Sequence, residues 1–168
     1  MTDRIKHSRN KQQGFTLLEV LIALLVLSIG LLGLAALQTT GLRSNEMASM
    51  RTTATMLAYD ISDRMRANPQ GIVDSNYKIG SGALTVSTTD CTSVDCTTAQ
   101  MAMFDLVQWK TALTRLPGGQ GDITQTAGTP LVHTITVRWD ENRTGASDVN
   151  CPPQDSDDLR CFRLVLSE

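Results

Sequence analysis

Histidine is almost absent from this sequence, which has two in 168 residues, His7 and His133. So small a supply leaves no metal-binding histidine pair. Neither a Gly-x-Ser-x-Gly elbow nor a phosphate-binding glycine loop occurs. Catalysis is not expected, and no cofactor is implied. His133 falls on an otherwise apolar strand pattern, where a core or edge role is expected rather than that of a base. Proline is missing between Gly14 and Pro69, so nothing in that stretch forces a helix to break. A broad basic surface is lacking too. The net charge is -2, and Arg4, Lys6, Arg9 and Lys11 stand within the first fourteen residues against Asp3 alone. The remainder is therefore acidic and offers no footprint for nucleic acid phosphates. Internal repeats are absent.

Cysteine is scarce but ordered. Cys91 and Cys96 form one sequence-local pair, and Cys151 and Cys161 another. Their spacings do not match the short knuckles of structural zinc. An even count in a polar, loop-rich body reads as disulfides made in an oxidising compartment. Four cysteines allow three pairings; closure of the two local loops is the preferred one. Asp155, Asp157 and Asp158 form an acidic cluster without the glycine and distal glutamate of a calcium loop. A solvated loop is expected there, and no metal site.

What the sequence has in abundance lies near its start. Val20 to Leu37 is a run of eighteen uncharged residues, interrupted only by Ser28, Gly30 and Gly33, and Phe15 to Leu18 extend it. Such a run crosses most of a hydrocarbon core as a helix. The basic residues before it place the N-terminus in the cytoplasm and the rest outside, the same topology that disulfides require. A conventional secretory signal fits poorly, since Leu34-Ala35-Ala36-Leu37 is a weak cleavage site and the run is too long. Glu19 stands inside the apolar segment, where a carboxylate costs ~2.5–3.5 kcal/mol at a bilayer centre. It is either a headgroup-level residue or the partner of a positive charge. Cleavage after Gly14 would supply that charge as the amine of Phe15.

Beyond the run, Met47, Met50, Ala54, Leu57, Ile61 and Met65 recur at spacings of three and four, with Arg43, Glu46, Arg51, Asp60, Asp63 and Arg64 elsewhere. This predicts an amphipathic continuation of the same helix. Asp60 and Arg64 stand in the favourable acid-first order, and Asn68-Pro69 ends the helix. The methionine stripe reads as packing surface. Ala83 to Val86 is a candidate short strand in a Gly, Ser and Thr rich stretch. Thr97 and Gln100 fit a capping box opening a second helix over Thr98 to Arg115. Met103, Leu106, Trp109, Leu113 and Leu116 are expected to face inward, and Pro117-Gly118-Gly119 stops the helix. Alternation predicts a strand over Leu131 to Trp139 and another at Phe162-Leu164-Leu166. The sum is an α+β head in which an antiparallel sheet with a second helix packs on the long helix.

Lys11-Gln12-Gln13-Gly14-Phe15-Thr16-Leu17-Leu18-Glu19 resembles the class III signal of type IV prepilins and type II secretion pseudopilins. The resemblance implies a pilin-like fold. It implies that a prepilin peptidase cuts between Gly14 and Phe15 and methylates the amine of Phe15. It also implies that Glu19 pairs with a neighbouring subunit's N-terminus. Residues 1–14 would then be a removed leader, 15–38 the transmembrane and filament-core segment, 39–68 its amphipathic continuation and 69–168 the periplasmic head.

Tyr59-Asp60-Ile61-Ser62-Asp63-Arg64-Met65-Arg66-Ala67-Asn68-Pro69 is similar to the helix end of the PilV-type minor pilins. Asp105 with Trp109, Leu113 and Leu116-Pro117-Gly118-Gly119 resembles their second helix and turn. That resemblance implies a minor subunit of a type IV pilus, anchored in the inner membrane before assembly, that primes or caps the filament and supports adhesion and twitching motility. Implied partners are other minor pilins and the major pilin, the inner-membrane assembly platform and a tip adhesin. A type II secretion pseudopilin is the alternative; a DNA-uptake pilin fits the acidic body less well.

Overall fold

A computed structural model describes residues 14–84, 86, 88–126, 128 and 130–167. His7 and the basic leader lie outside these. Two compact units are present, Met1–Ser44 and Asn45–Glu168. Helix α1, Leu17–Ala67, supplies residues to both. Its 51 residues correspond to about 76 Å at the rise of an α-helix.

Within the first unit α1 is apolar on every side. Leu17, Leu21, Leu25, Leu32 and Leu37 are all exposed. Three hydroxyls bond to the helix itself: that of Ser28 donates to the Leu24 carbonyl (2.7 Å), and those of Thr39 and Thr40 donate to that of Ala36. A helix with this surface needs lipid or other helices around it.

In the second unit α1 becomes one-sided. Met50, Ala54, Leu57, Ala58, Ile61 and Met65 are buried in a continuous stripe, while Met47 is half-buried at its start. The helix ends at Ala67, and Asn68 takes non-helical angles (φ -127°, ψ 65°), as the residue before a proline must. Pro69 then occupies the first turn of a short helix α2, Pro69–Val73, capped by the Asn68 side chain. The spacing argument stopped at Pro69 and missed α2; a proline that ends one helix also suits the first turn of the next.

Helix α3, Thr98–Leu113, opens with the expected capping box: the Thr97 hydroxyl accepts from the Gln100 amide, and the Gln100 side chain from that of Thr97. It closes two residues before Arg115. Ala102, Leu106, Trp109, Leu113 and Leu116 turn inward. Met103 does not: it is 38% exposed, on the rim of a stripe whose inner line begins at Ala102.

Three antiparallel strands follow in the order β1 (Gln120–Thr126), β2 (Val132–Trp139) and β3 (Arg160–Ser167). β1 was invisible to alternation because Ile123 is its only large apolar residue. Pairing aligns Ile123 with Ile135 and Leu164, and Gln125 with His133 and Leu166. His133, Ile135, Val137 and Trp139 face the core, and His133 is fully buried there. No strand forms at Ala83–Val86 among its described residues; Thr85 lies outside them. The chain touches the sheet earlier, through a single bridge from Ile79 to Ile123. The following glycines are held instead by Lys110, whose ammonium donates to the carbonyls of Gly80, Gly82 and Gly121 at 2.6, 2.7 and 2.5 Å.

Two glycine requirements fix the junction of α3 and β1. Gly118 has φ +57°, and a Cβ on Gly119 would lie 1.9 Å from the Leu113 carbonyl oxygen, so the turn admits no side chain there. At Gly121 a Cβ would meet the Trp109 ring at 2.6 Å and Leu113 at 2.7 Å. Gly121→Val should therefore cost about 1–3 kcal/mol through overpacking, measured as a lowered denaturation midpoint. Gly80→Ala, where a Cβ meets nothing within 4 Å, should stay within about 0.5 kcal/mol of the parent.

Candidate functional site

Two groups of residues carry the functional reading. The first is the start of α1. Gly14, Phe15 and Thr16 precede the helix, and Phe15 is 84% exposed. The Thr16 hydroxyl accepts from the Glu19 amide at 3.2 Å, so Thr16 caps the helix and Glu19 is its third residue. A carboxylate in the first turn also meets the positive end of the helix dipole. Glu19 thus has a local reason for its place, which the cost argument did not consider. That leaves a carboxylate four positions from Phe15 in an otherwise apolar surface, the kind of residue that is costly in hydrocarbon.

The second group joins the end of α1 to α3. Trp109 is fully buried, and its indole N–H donates to the Leu57 carbonyl oxygen at 2.9 Å. Two turns beyond Leu57, Arg64 pairs with Asp60 (3.1 Å) on its own helix and reaches α3 at Asp105 (3.3 Å) and Gln108 (2.8 Å). The other oxygen of Asp105 accepts from the Tyr77 hydroxyl at 2.7 Å. Tyr77 accepts in turn from the Asn68 side-chain amide (3.3 Å), which also donates to the Thr98 carbonyl (2.8 Å). Burial, and then the bond to Asp105, push the Tyr77 phenol well above its ordinary value. It stays a neutral donor and satisfies a carboxylate that is itself buried.

The motif residues Asp60, Arg64, Asn68, Asp105 and Trp109 are therefore in one place, tying the helix end to α3. Tyr77, the hinge of the network, went unnoticed, since it sits alone in a polar stretch without periodicity. Lys110 was also missed. Burial pulls its ammonium down to about 8, with Asp122 raising it and Arg138 lowering it further.

The long segment between β2 and β3 is held by charge. Glu141, nearly fully buried, pairs with Arg51 of α1 (2.8 Å) and Arg160 of β3 (3.3 Å). Arg138 pairs with Asp122 across the sheet and donates to the Val149 carbonyl. Asp158 is not a solvated residue, as expected for that cluster, but buried, and it accepts from the amides of Gln154 and Asp155. The Gln154 amide leads the effects that hold its carboxyl below the usual range. Among the described residues no group of three or more His, Cys, Asp or Glu is arranged to hold a metal ion. Disulfides join Cys91 to Cys96 and Cys151 to Cys161, the second stapling this segment to β3.

Residues 9–35 match the prokaryotic N-terminal methylation motif, and residues 36–107 match the family model of the type IV pilin Tt1218. Neither a curated protein nor a solved structure matches the chain. The second match takes in Asp60, Arg64, Asn68, Tyr77 and Asp105 and ends before Gln108 and Trp109, so the energetics of that shared part of the network are the natural check. Tyr77→Phe removes one donor from buried Asp105 and should cost about 1–3 kcal/mol in chemical denaturation. A change under about 0.5 kcal/mol, the size of an ordinary surface substitution, would show that the hydroxyl holds nothing.

Proposed function

We propose that this type IV pilin, a pilus subunit bearing the methylation motif, serves as a minor rather than a major subunit, of the PilV type. The observation carrying this reading is the network at the end of α1. Asp60, Arg64, Asn68, Asp105 and Trp109 are among the residues that resemble the PilV-type minor pilins; the first four meet, through Tyr77, in one hydrogen-bonded cluster, and Trp109 holds the same helix at Leu57. A proline-free first helix, α1 unbroken from Leu17 to Ala67, points the same way.

The proposed sequence of events begins with the chain held in the inner membrane by the apolar part of α1, N-terminus in the cytoplasm and disulfide-bonded head outside. Prepilin peptidase cuts between Gly14 and Phe15 and methylates the new amine. Phe15 then begins a chain whose positive charge stands one turn from Glu19. As subunits leave the lipid, Glu19 of one meets the amine of a neighbour, and two charges that are costly in hydrocarbon neutralise each other. The apolar surface that faced lipid then faces other helices. Other minor pilins, the major pilin, the assembly platform and a tip adhesin are the partners this role requires, and priming or capping the filament is the role itself. Cys91–Cys96 and Cys151–Cys161 suit a head that works outside the cell. A type II secretion pseudopilin shares the processing motif and is the second reading.

Loss of the gene separates the two. The minor-pilin reading predicts that deletion reduces surface pili and twitching while secreted enzymes are exported normally. Intact pili with failed enzyme export would transfer the chain to the secretion reading.

A further inference from the structure

The sheet has two edges, and they are finished differently. At β1, Ile79 and Ile123 exchange backbone hydrogen bonds of 3.0 and 2.9 Å, and Lys110 occupies the Gly121 carbonyl. Because Ile123 turns its N–H and C=O toward Ile79, its opposite number Ile135 must turn its own toward β3, where it faces Leu164. Alternation then aims the backbone groups of Cys161, Arg163, Val165 and Ser167 away from β2. Among the described residues none of these groups meets another partner. Val165 is 62% exposed on the same strand. β3 is an unfinished edge of eight residues.

Beside the start of that edge lies a cavity of about 320 Å³. Arg51 and Thr55 of α1 line one side, Trp139 of β2 and Pro153 the back, and Arg160 and Phe162 of β3 the other side. Two guanidinium groups share the single carboxylate of Glu141, so one positive charge is left over. Both arginines are more than half exposed, at 63% and 52% of their side chains. Trp139 is 3% exposed, and its indole N–H has no acceptor among the described residues. Buried donors are ordinarily paired. An open strand edge, an excess cation and an unanswered buried donor converge on the same few residues.

We propose that the β3 edge and this cavity form one groove for an extended segment of a partner protein, which adds as a fourth strand and presents a carboxylate between Arg51 and Arg160. Backbone pairing along Cys161 to Ser167 would hold the segment, and the arginines would set its charge and position. A second copy of β3 fits less well, because the charged residues within Arg160–Ser167 are both arginines. The carboxylate is either a chain end or an Asp or Glu side chain, which the peptide arms below separate. The groove is independent of the minor-pilin reading, and its binding test stands whatever the deletion phenotype.

The test uses the full chain in detergent micelles and fluorescence anisotropy with labelled octapeptides of alternating threonine and valine. One ends in asparagine with a free carboxylate, one in aspartate with an amide, and one is neutral at both positions. Saturable binding is expected for at least one acidic peptide, weakened about tenfold or more in the neutral one, the loss of a charge-assisted pair. Val165→Pro removes an outward N–H without touching the β2 ladder and should abolish binding. Val165→Thr keeps the N–H and should bind as the parent does; thermal unfolding of both variants confirms that they fold. Equal binding of acidic and neutral peptides, undiminished binding to folded Val165→Pro, or no saturable binding at millimolar peptide would each overturn the proposal. Self-association lost in Val165→Pro, with no peptide binding, would give the edge to a second copy instead.

Discussion

The hydrogen bond from Trp109 to the Leu57 carbonyl is the contact around which residues 45–167 are organised. A buried indole is large, and its N–H must be answered. Here the answer comes from the backbone of α1, which fixes both where α3 crosses and how close it comes. The Leu57 and Ile61 stripe then has a lid, and Gly121 must lack a side chain because the indole ring fills the space above it. Lys110, next in sequence, lies with its ammonium 5.9 Å from the same ring and collects three carbonyls from the segment before α3 and from β1. Replacing such a tryptophan by alanine typically removes about 3–5 kcal/mol, a large part of the stability of a domain this size.

The same helix lives under a second, opposite constraint. From Leu17 to Leu37 it offers apolar surface in all directions, and its large apolar side chains are exposed among the described residues. Such a helix is unfinished by itself, and in the proposed function a membrane and then other pilins finish it. Glu19 is the charged exception in that surface: its amide is capped by Thr16 and its carboxylate lies in the first turn of the helix, a local use compatible with the proposed pairing in the assembled state. One carboxylate thus favours the first turn through the helix dipole and, in the proposed assembly, would meet an incoming amine.

How much of this was legible in the sequence follows from which interactions repeat with a period. The long helix, its switch from an all-round to a one-sided apolar surface, the capping box at Thr97 and strands β2 and β3 all rest on spacing or on short side-chain rules. The sequence showed these because each is local. β1 was missed because its fit comes from what it lacks: Gly121 is chosen by Trp109, a residue twelve positions away, and apart from Ile123 the strand's side chains are polar. Met103 was misplaced by one helical position. Tyr77 and Glu141 have no signal at all in one dimension, since their partners come from other elements, and the buried carboxyl of Asp158 has none because its partners are nearby backbone amides, which any residue type supplies. The residues that carry the resemblance to minor pilins were visible as a motif, but their meeting in a single network was not.

The claim on which the functional account rests is that Phe15, not Met1, begins the working subunit. Mass spectrometry of the N-terminal peptide from chain purified out of cells with an active prepilin peptidase measures this directly. The account predicts a peptide that starts at Phe15 and carries one methyl group on its amine, replaced by the full leader when Gly14 is changed to alanine. A chain that retains residues 1–14 in the parent, or one cut after the apolar segment near Ala36, would contradict it.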